Sequence, residues 1–385
     1  MDVECFMGKL VIVKVGTGSV TKSNGSLDLD ALREITDQIA EASNRGYQII
    51  LVTSGAIASG IAELGVKPNP NDIVFKQACA AVGQGILMEH YRELFKHHDL
   101  KVAQVLLTKE DLSNRVSYIH TCNVLDKLLN LRVVPIINEN DVTSVDEIMP
   151  IMKGYRVNFS DNDILSVLIA NALQADLIII LSNVDGLYDV DPSKKKKARV
   201  IPVVEKITHE LKKLAEGKSA FGRGGMKTKL EAAEIAMQSG IPLIIANSRR
   251  KNVLLDILEG KKIGTYFKPL GSKMPSIKRW IAYGAGSKGQ IKVNEGAKQA
   301  ILKGASLLAV GIESVYGQFR IGDVVSIVGP DGKEFARGIV NYSSEEVNLI
   351  KGLKTQQIKK VLGYIRRKEV IVRKLMHIVD GGESS

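Results

Sequence analysis

Cysteine is scarce in this chain: Cys5, Cys79 and Cys122 are the only three in 385 residues. Their number is odd and no CxxC pair occurs, which excludes a zinc knuckle and a disulfide framework and points to reduced cytosolic thiols. Aromatic residues make up 5%, with a single tryptophan, so ring stacking can matter only locally. Long apolar runs are missing too. A run such as 177–181 is strand length, far short of the roughly 20 residues of a membrane span. The first residues, MDVECF, are acidic where a secretory signal would be basic. A cytoplasmic protein without a membrane anchor is expected.

What is present is ordinary for a globular protein. Hydrophobic residues are 45% and charged residues 25%, which excludes a disordered or collagen-like chain. The length suits two or three domains. Charge is uneven: of a net +11, the stretch from Ser276 onward holds 18 Lys and Arg against 10 Asp and Glu. A basic module invites a nucleic-acid reading, while basic surface for solubility is its bland counterpart. The four lysines at 194–197 read as a solvated loop.

Short β-rich runs at 10–15, 48–53, 102–107, 133–137, 177–181 and 243–246 read as buried strands. Between them, helical spacing covers 29–45, 72–97, 115–130, 164–172 and 226–238. Such alternation predicts an α/β fold with a mainly parallel sheet covered on both faces. The pattern breaks at KPLGS, residues 268–272. Beyond it short strands and tight turns dominate, including a hairpin closed by GPDG at 329–332, as in a compact barrel. The expected division is 1–266 for the first domain, 267–276 for a linker, 277–375 for a small β-rich domain and 376–385 for a flexible tail.

In an open parallel sheet, ligands bind outside the carboxyl ends of the strands. The loops there are polar and glycine-rich. The first holds Lys14, Gly16, Thr17 and Gly18; the second, Ser54 and Gly55. NEND at 138–141 and SDND at 160–163 supply acids and amides, and SNVDG follows at 182–186. Gly222-Arg223-Gly224-Gly225 then leads into a helix beginning Met226-Lys227-Thr228-Lys229. Glycines before a helix N-terminus form a phosphate cradle, and lysines in the first turn oppose the helix dipole unless an anion lies there. Lysines with glycine loops suit a triphosphate; acids and amides suit Mg²⁺ or an amino group. None of the six histidines (His90, His97, His98, His120, His209, His377) lies in these loops. That fits a carboxylate acceptor, which is ionised at neutral pH and needs no general base.

The strings VIVKVGTGSV (11–20), LVTSGAIASG (51–60), VPIINENDVTS (134–144), SDNDILS (160–166), LSNVDGLYDVDP (181–192) and GRGGMKTKLEAA (222–233) resemble the amino acid kinase family. Within it they are similar to the branch acting on free glutamate. Residues 278–301 and 311–328 resemble a PUA domain. The resemblance implies a three-layer αβα kinase fold followed by a PUA pseudo-barrel. It implies ATP-dependent phosphorylation of the γ-carboxylate of L-glutamate, the first step of proline biosynthesis, with Mg²⁺ accompanying ATP. By motif, Lys14 and Lys229 would neutralise the transferring phosphoryl group, and Asp163 would hold both lysines. Ser54, Asp141 and Asn162 would bind glutamate, with Asp141 on its α-ammonium. Gly16 and Thr17 would reach phosphates through backbone N–H groups. Ser182, Asn183, Arg223, Gly224, Gly225, Met226, Lys227, Thr228 and Lys229 would line the nucleotide. No protein metal cage is implied. The family also implies a homo-oligomer, dimer or tetramer, and proline as a feedback inhibitor.

Three positions depart from the family pattern: Ser182-Asn183 replaces a common Thr-Asp, Arg223 stands where Thr is common, and Lys227 occupies a usually neutral position. None removes a charge the mechanism needs. Two alternatives stay open: an RNA-binding protein working through its PUA domain, and a kinase acting on aspartate, acetylglutamate, carbamate or UMP.

Overall fold

The computed structural model describes residues 9–379 except 23–24, 68, 70–71, 145–161, 191–197, 216–224 and 272. The chain forms two compact units: the first runs to Met274, and the second comprises the residues from Pro275 onward together with Ser113–Arg115.

The first unit is built on β1 (Leu10–Val15), β2 (Gln48–Thr53), β3 (Lys101–Leu107), β4 (Val133–Glu139), β5 (Leu177–Ser182), β6 (Val203–Val204), β7 (Leu243–Asn247) and β8 (Thr265–Phe267). They form one eight-stranded sheet in the order β3-β4-β2-β1-β5-β7-β8-β6. Every neighbouring pair is parallel except β7 with β8. β1 and β5 are buried at every position, as largely apolar strands covered on both faces must be. Alternation sorts the faces of β1. Val11, Val13 and Val15 join one core with Leu32, Ile35 and Ile39 of the Leu29–Asn44 helix and Tyr91 and Phe95 of the Ile73–Lys96 helix. Ile12 and Lys14 therefore face the other side, where the Asn162–Leu173 helix packs on β1.

This order places β2 and β5 on opposite sides of β1, so the chain reverses its direction of travel across the sheet at β1 and β5. The crevice outside their carboxyl ends is where such sheets take ligands. Two glycines fix the layer beside it. A Cβ on Gly60 would lie 1.8 Å from the Cys79 carbonyl oxygen, and one on Gly83 would lie 1.9 Å from that of Ala56. The Ala56–Leu64 and Ile73–Lys96 helices therefore touch backbone to backbone, which no larger residue permits.

The second unit holds β9 (Gln290–Val293), β10 (Ile312–Tyr316), β11 (Val324–Val328), β12 (Glu334–Val340) and β13 (Ile371–Ile378), ordered β10-β9-β11-β12-β13. Its own core gathers Ile291, Val293, Val325, Ile327, Tyr342 and Met376.

The two short strands β6 and β8, the last two in the sheet order, are additions to the sequence reading. Phe267, which the sequence assigns to the linker, is fully buried in β8. The remaining linker is not free chain: Leu270 and Met274 donate their N–H groups to the Met237 and Ser239 carbonyls of the first unit. The strand that closes the second unit runs to Ile378, past the expected boundary at 375, because Met376 is a core residue rather than part of a tail. Residues 380–385 of the expected tail lie outside the described residues. Among the described residues, no helix is long and apolar enough to cross a membrane.

Candidate active site

Three buried charges from three elements meet at the carboxyl end of β1. Lys14 Nζ lies 2.6 Å from Asp163 Oδ1, and Lys229 Nζ lies 3.0 Å from Asp163 Oδ2. Lys14 is 3% exposed, Lys229 6% and Asp163 0%. Each placement has a local cause. Lys14 is a polar interruption on the helix-facing side of a strand. Asp163 is the second residue of the Asn162–Leu173 helix, where the dipole favours a carboxylate. Lys229 is the fourth residue of the Met226–Gln238 helix, where the dipole disfavours a cation, and the carboxylate of the neighbouring helix offsets this.

Burial alone would push the Asp163 carboxyl up. The Lys14 ammonium, and then that of Lys229, outweigh it and hold the group below its ordinary value near 3.8. The carboxylate is thus ionised at neutral pH. Two ammonium groups share it, so the triad carries one excess positive charge in a desolvated position. An incoming anion is stabilised there more strongly than in water.

The Met226–Gln238 helix sorts its own first turn. Lys227 and Lys229 are two residues apart and so on nearly opposite faces; Lys229 is buried and Lys227 exposed. Thr228 donates its hydroxyl to the Gly225 carbonyl at 3.0 Å and lies 3.3 Å from Asp163 Oδ2, which ties it to the carboxylate. Met226 and Gly225 open the helix, half-buried, with no side-chain cap on its first N–H groups. Arg223 and Gly224 lie outside the described residues.

At the β1 turn the Gly16 N–H donates to the Leu181 carbonyl at 3.3 Å. A Cβ at Gly16 would make only an ordinary contact with Lys14 Nζ, at 3.4 Å. Thr17 begins a single helical turn, whose first N–H groups have no intrahelical acceptor. The turn is stitched to β5, since Ser19 Oγ also donates to the Leu181 carbonyl. Beyond β5, Ser182 is buried, with its hydroxyl 3.4 Å from Asn183 Oδ1. Asn183 is exposed and borders Gly18.

On the other side of Lys14, Asn162 Nδ2 lies 2.9 Å from the Thr53 carbonyl oxygen, 2.9 Å from Ser54 Oγ and 3.0 Å from Asn138 Oδ1. Ser54 and Asn162 are thus neighbours, and Asp163 follows Asn162 directly. Asp141 sits in the turn after β4, half-buried. Two residues outside the sequence-derived set belong to this cluster. Asn138 is buried near the end of β4, and its Nδ2 donates to Gln84 Oε1 at 2.9 Å. Both left a trace in the sequence. Asn138 follows Ile136 at strand period. Gln84 stands among Ala80, Leu87 and Tyr91 on the buried stripe of its helix.

Residues 9–247 match the sequence profile of the amino acid kinase family. The chain belongs to that family. A second match, to the PUA domain, covers residues 289–362 in the second unit. Among related kinases, the glutamate 5-kinase of Thermoanaerobacter pseudethanolicus is 46% identical over 375 residues, covering 97% of this chain and 98% of that one. The glutamate 5-kinase of Methanosarcina barkeri is 43% identical over 378 residues, 96% of each chain. That of Dehalococcoides mccartyi strain CBDB1 is 42% identical over 381 residues, 98% of this chain and all of the other. The amino acid kinase portion contains every side chain of the triad and of the Asn162 cluster.

Proposed function

We infer that the chain transfers the γ-phosphoryl group of ATP to the side-chain carboxylate of L-glutamate, giving γ-glutamyl phosphate, the opening step of proline biosynthesis. The observation that carries this reading is the excess positive charge of Lys14–Asp163–Lys229, set beside a cluster of amides and hydroxyls, in a chain related over its whole length to glutamate 5-kinases. Lys14 and Lys229 neutralise the charge gathered on the transferring phosphoryl oxygens, and Asp163 holds the two ammonium groups at a fixed separation. Phosphoryl transfer needs little more than such positioning and neutralisation. The glutamate γ-carboxylate attacks already ionised, which accounts for a site without histidine.

Ser54, Asn162 and Asp141 bind glutamate. Asn162 donates to the Ser54 oxygen, which leaves the Ser54 proton available to a substrate carboxylate. The nucleotide lies over the β1 turn, Ser182-Asn183 and the Gly225–Lys229 helix start. Asp163 is occupied by two ammonium groups, so Mg²⁺ arrives on the phosphates as MgATP, neutralising charge as part of the substrate. The protein works as a homo-oligomer in this reading; Val116, Ile119 and Val124 leave an apolar strip exposed on the Arg115–Asn130 helix for a neighbouring copy.

Hydroxylamine trapping tests the reaction. With MgATP, hydroxamate is expected from glutamate and not from aspartate or N-acetylglutamate. Product from another acceptor, or from none, overturns the reading. Asp141→Ala is expected to raise the KM for glutamate by about 10²-fold while moving that for ATP little. An unchanged glutamate KM removes Asp141 from the site.

A further inference from the structure

Gln84 lies outside every motif that carries the family resemblance. It sits on the long Ile73–Lys96 helix, next to Gly83, where the backbone contact with Ala56 pins the helix in place. From Gln84 a run of side-chain amides leads to the proposed glutamate site, and its polarity is set at fixed backbone groups. The Thr53 carbonyl can only accept, so Asn162 must turn Nδ2 toward it. The Glu139 N–H can only donate, and it does so to Asn138 Oδ1 at 2.9 Å. The Asn162 amide then donates to that same oxygen, at 3.0 Å. Asn138 Nδ2 is left facing away, and Gln84 Oε1 takes it at 2.9 Å.

The consequence falls on Asn162. Its Nδ2 has two hydrogens and three acceptors within reach. Its Oδ1 is buried and, among the described residues, accepts no hydrogen bond. A buried acceptor without a donor is uncommon in folded proteins and calls for an explanation. Resting on the reading of this site as a glutamate site, we propose that Gln84 is a positioning residue: through Asn138 it locks the Asn162 carboxamide so that Oδ1 stays open to accept an N–H of the substrate's α-ammonium. Substrate selection then combines a charge partner, Asp141, with an oriented neutral acceptor. An acceptor lacking the amino group would leave Oδ1 unsatisfied and be rejected.

The decisive comparison is glutamate against glutarate, which keeps both carboxylates and lacks the ammonium. In Gln84→Leu the relay loses its last acceptor: Asn138 Nδ2 is left buried and unpaired, Asn138 can shift, and its hold on the Asn162 amide loosens. The KM for glutamate should rise about tenfold and that for ATP less than twofold, and the glutamate-to-glutarate ratio of kcat/KM should fall about tenfold. Gln84→Glu keeps an acceptor for Asn138 and should restore most of that ratio. An unchanged ratio in Gln84→Leu overturns the relay. So does an equal loss toward glutamate and ATP that Gln84→Glu fails to rescue, because that pattern marks a merely structural role. If Gln84→Leu lacks a cooperative thermal transition, Gln84→Met, closer in shape, carries the same comparison. Failure of the unaltered chain to phosphorylate glutamate would instead overturn the function, so the two failures are separable.

Discussion

Asp163→Asn is expected to lower turnover by about 10³-fold and to destabilise the first unit measurably. The catalytic part follows from what the carboxylate holds. With one amide in its place, one lysine meets a carbonyl oxygen and the other meets an N–H donor. The second ammonium is repelled, and electrostatic groups of this kind are worth roughly 10²–10³ each when misplaced. The stability part follows from burial. Removing one member of a buried charge cluster costs about 3–5 kcal/mol, because the surviving charges stay desolvated. A domain's whole stability is about 5–15 kcal/mol. Urea denaturation should therefore show a lower midpoint at an unchanged slope.

The pH dependence of that difference carries its own sign. In the native chain the two lysines hold the Asp163 carboxyl below its ordinary value near 3.8. A depressed native value stabilises the folded state wherever the unfolded carboxyl would be ionised. The gap between wild type and Asp163→Asn should be constant above about pH 5. It should narrow as the pH falls below the ordinary carboxylate value and vanish once the native carboxyl is protonated. A gap that widens in acid, or near-wild-type turnover at pH 7, contradicts the assignment of Asp163 as the element that holds the two cations.

The fold was legible where burial imposes a pattern. β1, β2 and β5 announce themselves because a strand covered on both faces is mostly apolar. β6 and β8 do not, since two or three residues are too few to express a period. The end of the second unit was misplaced for a related reason: only Ile371 and Met376 of β13 are buried, five residues apart, and the Arg and Lys between them hide the strand pattern. At the site, Lys14 was legible as a charge inside an apolar strand and Lys229 as a cation in a first helical turn. Their sharing of Asp163 was implied by the family resemblance and not by spacing, because 149 and 66 residues separate the partners and the packing of two helices on one sheet face brings them together. Asn138 was read only as one of the polar groups of NEND, and Gln84 escaped because a buried amide resembles an ordinary core polar group until its partners are seen.

Lys229→Met separates charge from fold more cleanly than any change at Asp163. Methionine matches the length of the lysine stem and suits a buried position. Lys14 stays paired with Asp163, so the remaining pair is neutral and no lone charge is left in the interior. The urea midpoint should shift less than in Asp163→Asn. Turnover should still fall by about 10²–10³, since one of two ammonium groups facing the transferring phosphoryl is gone. The KM for ATP should change less than kcat, because the lost interaction is strongest in the transition state. Lys227→Ala is the internal control. It removes an equal charge from the same helical turn, but from the exposed face. Its effect should lie in ATP affinity and fade with added salt, whose screening length is about 10 Å at 0.1 M. If Lys227→Ala costs more turnover than Lys229→Met, the phosphoryl charge is gathered at the surface of the helix rather than over the buried pair, and the mechanism proposed for this site fails.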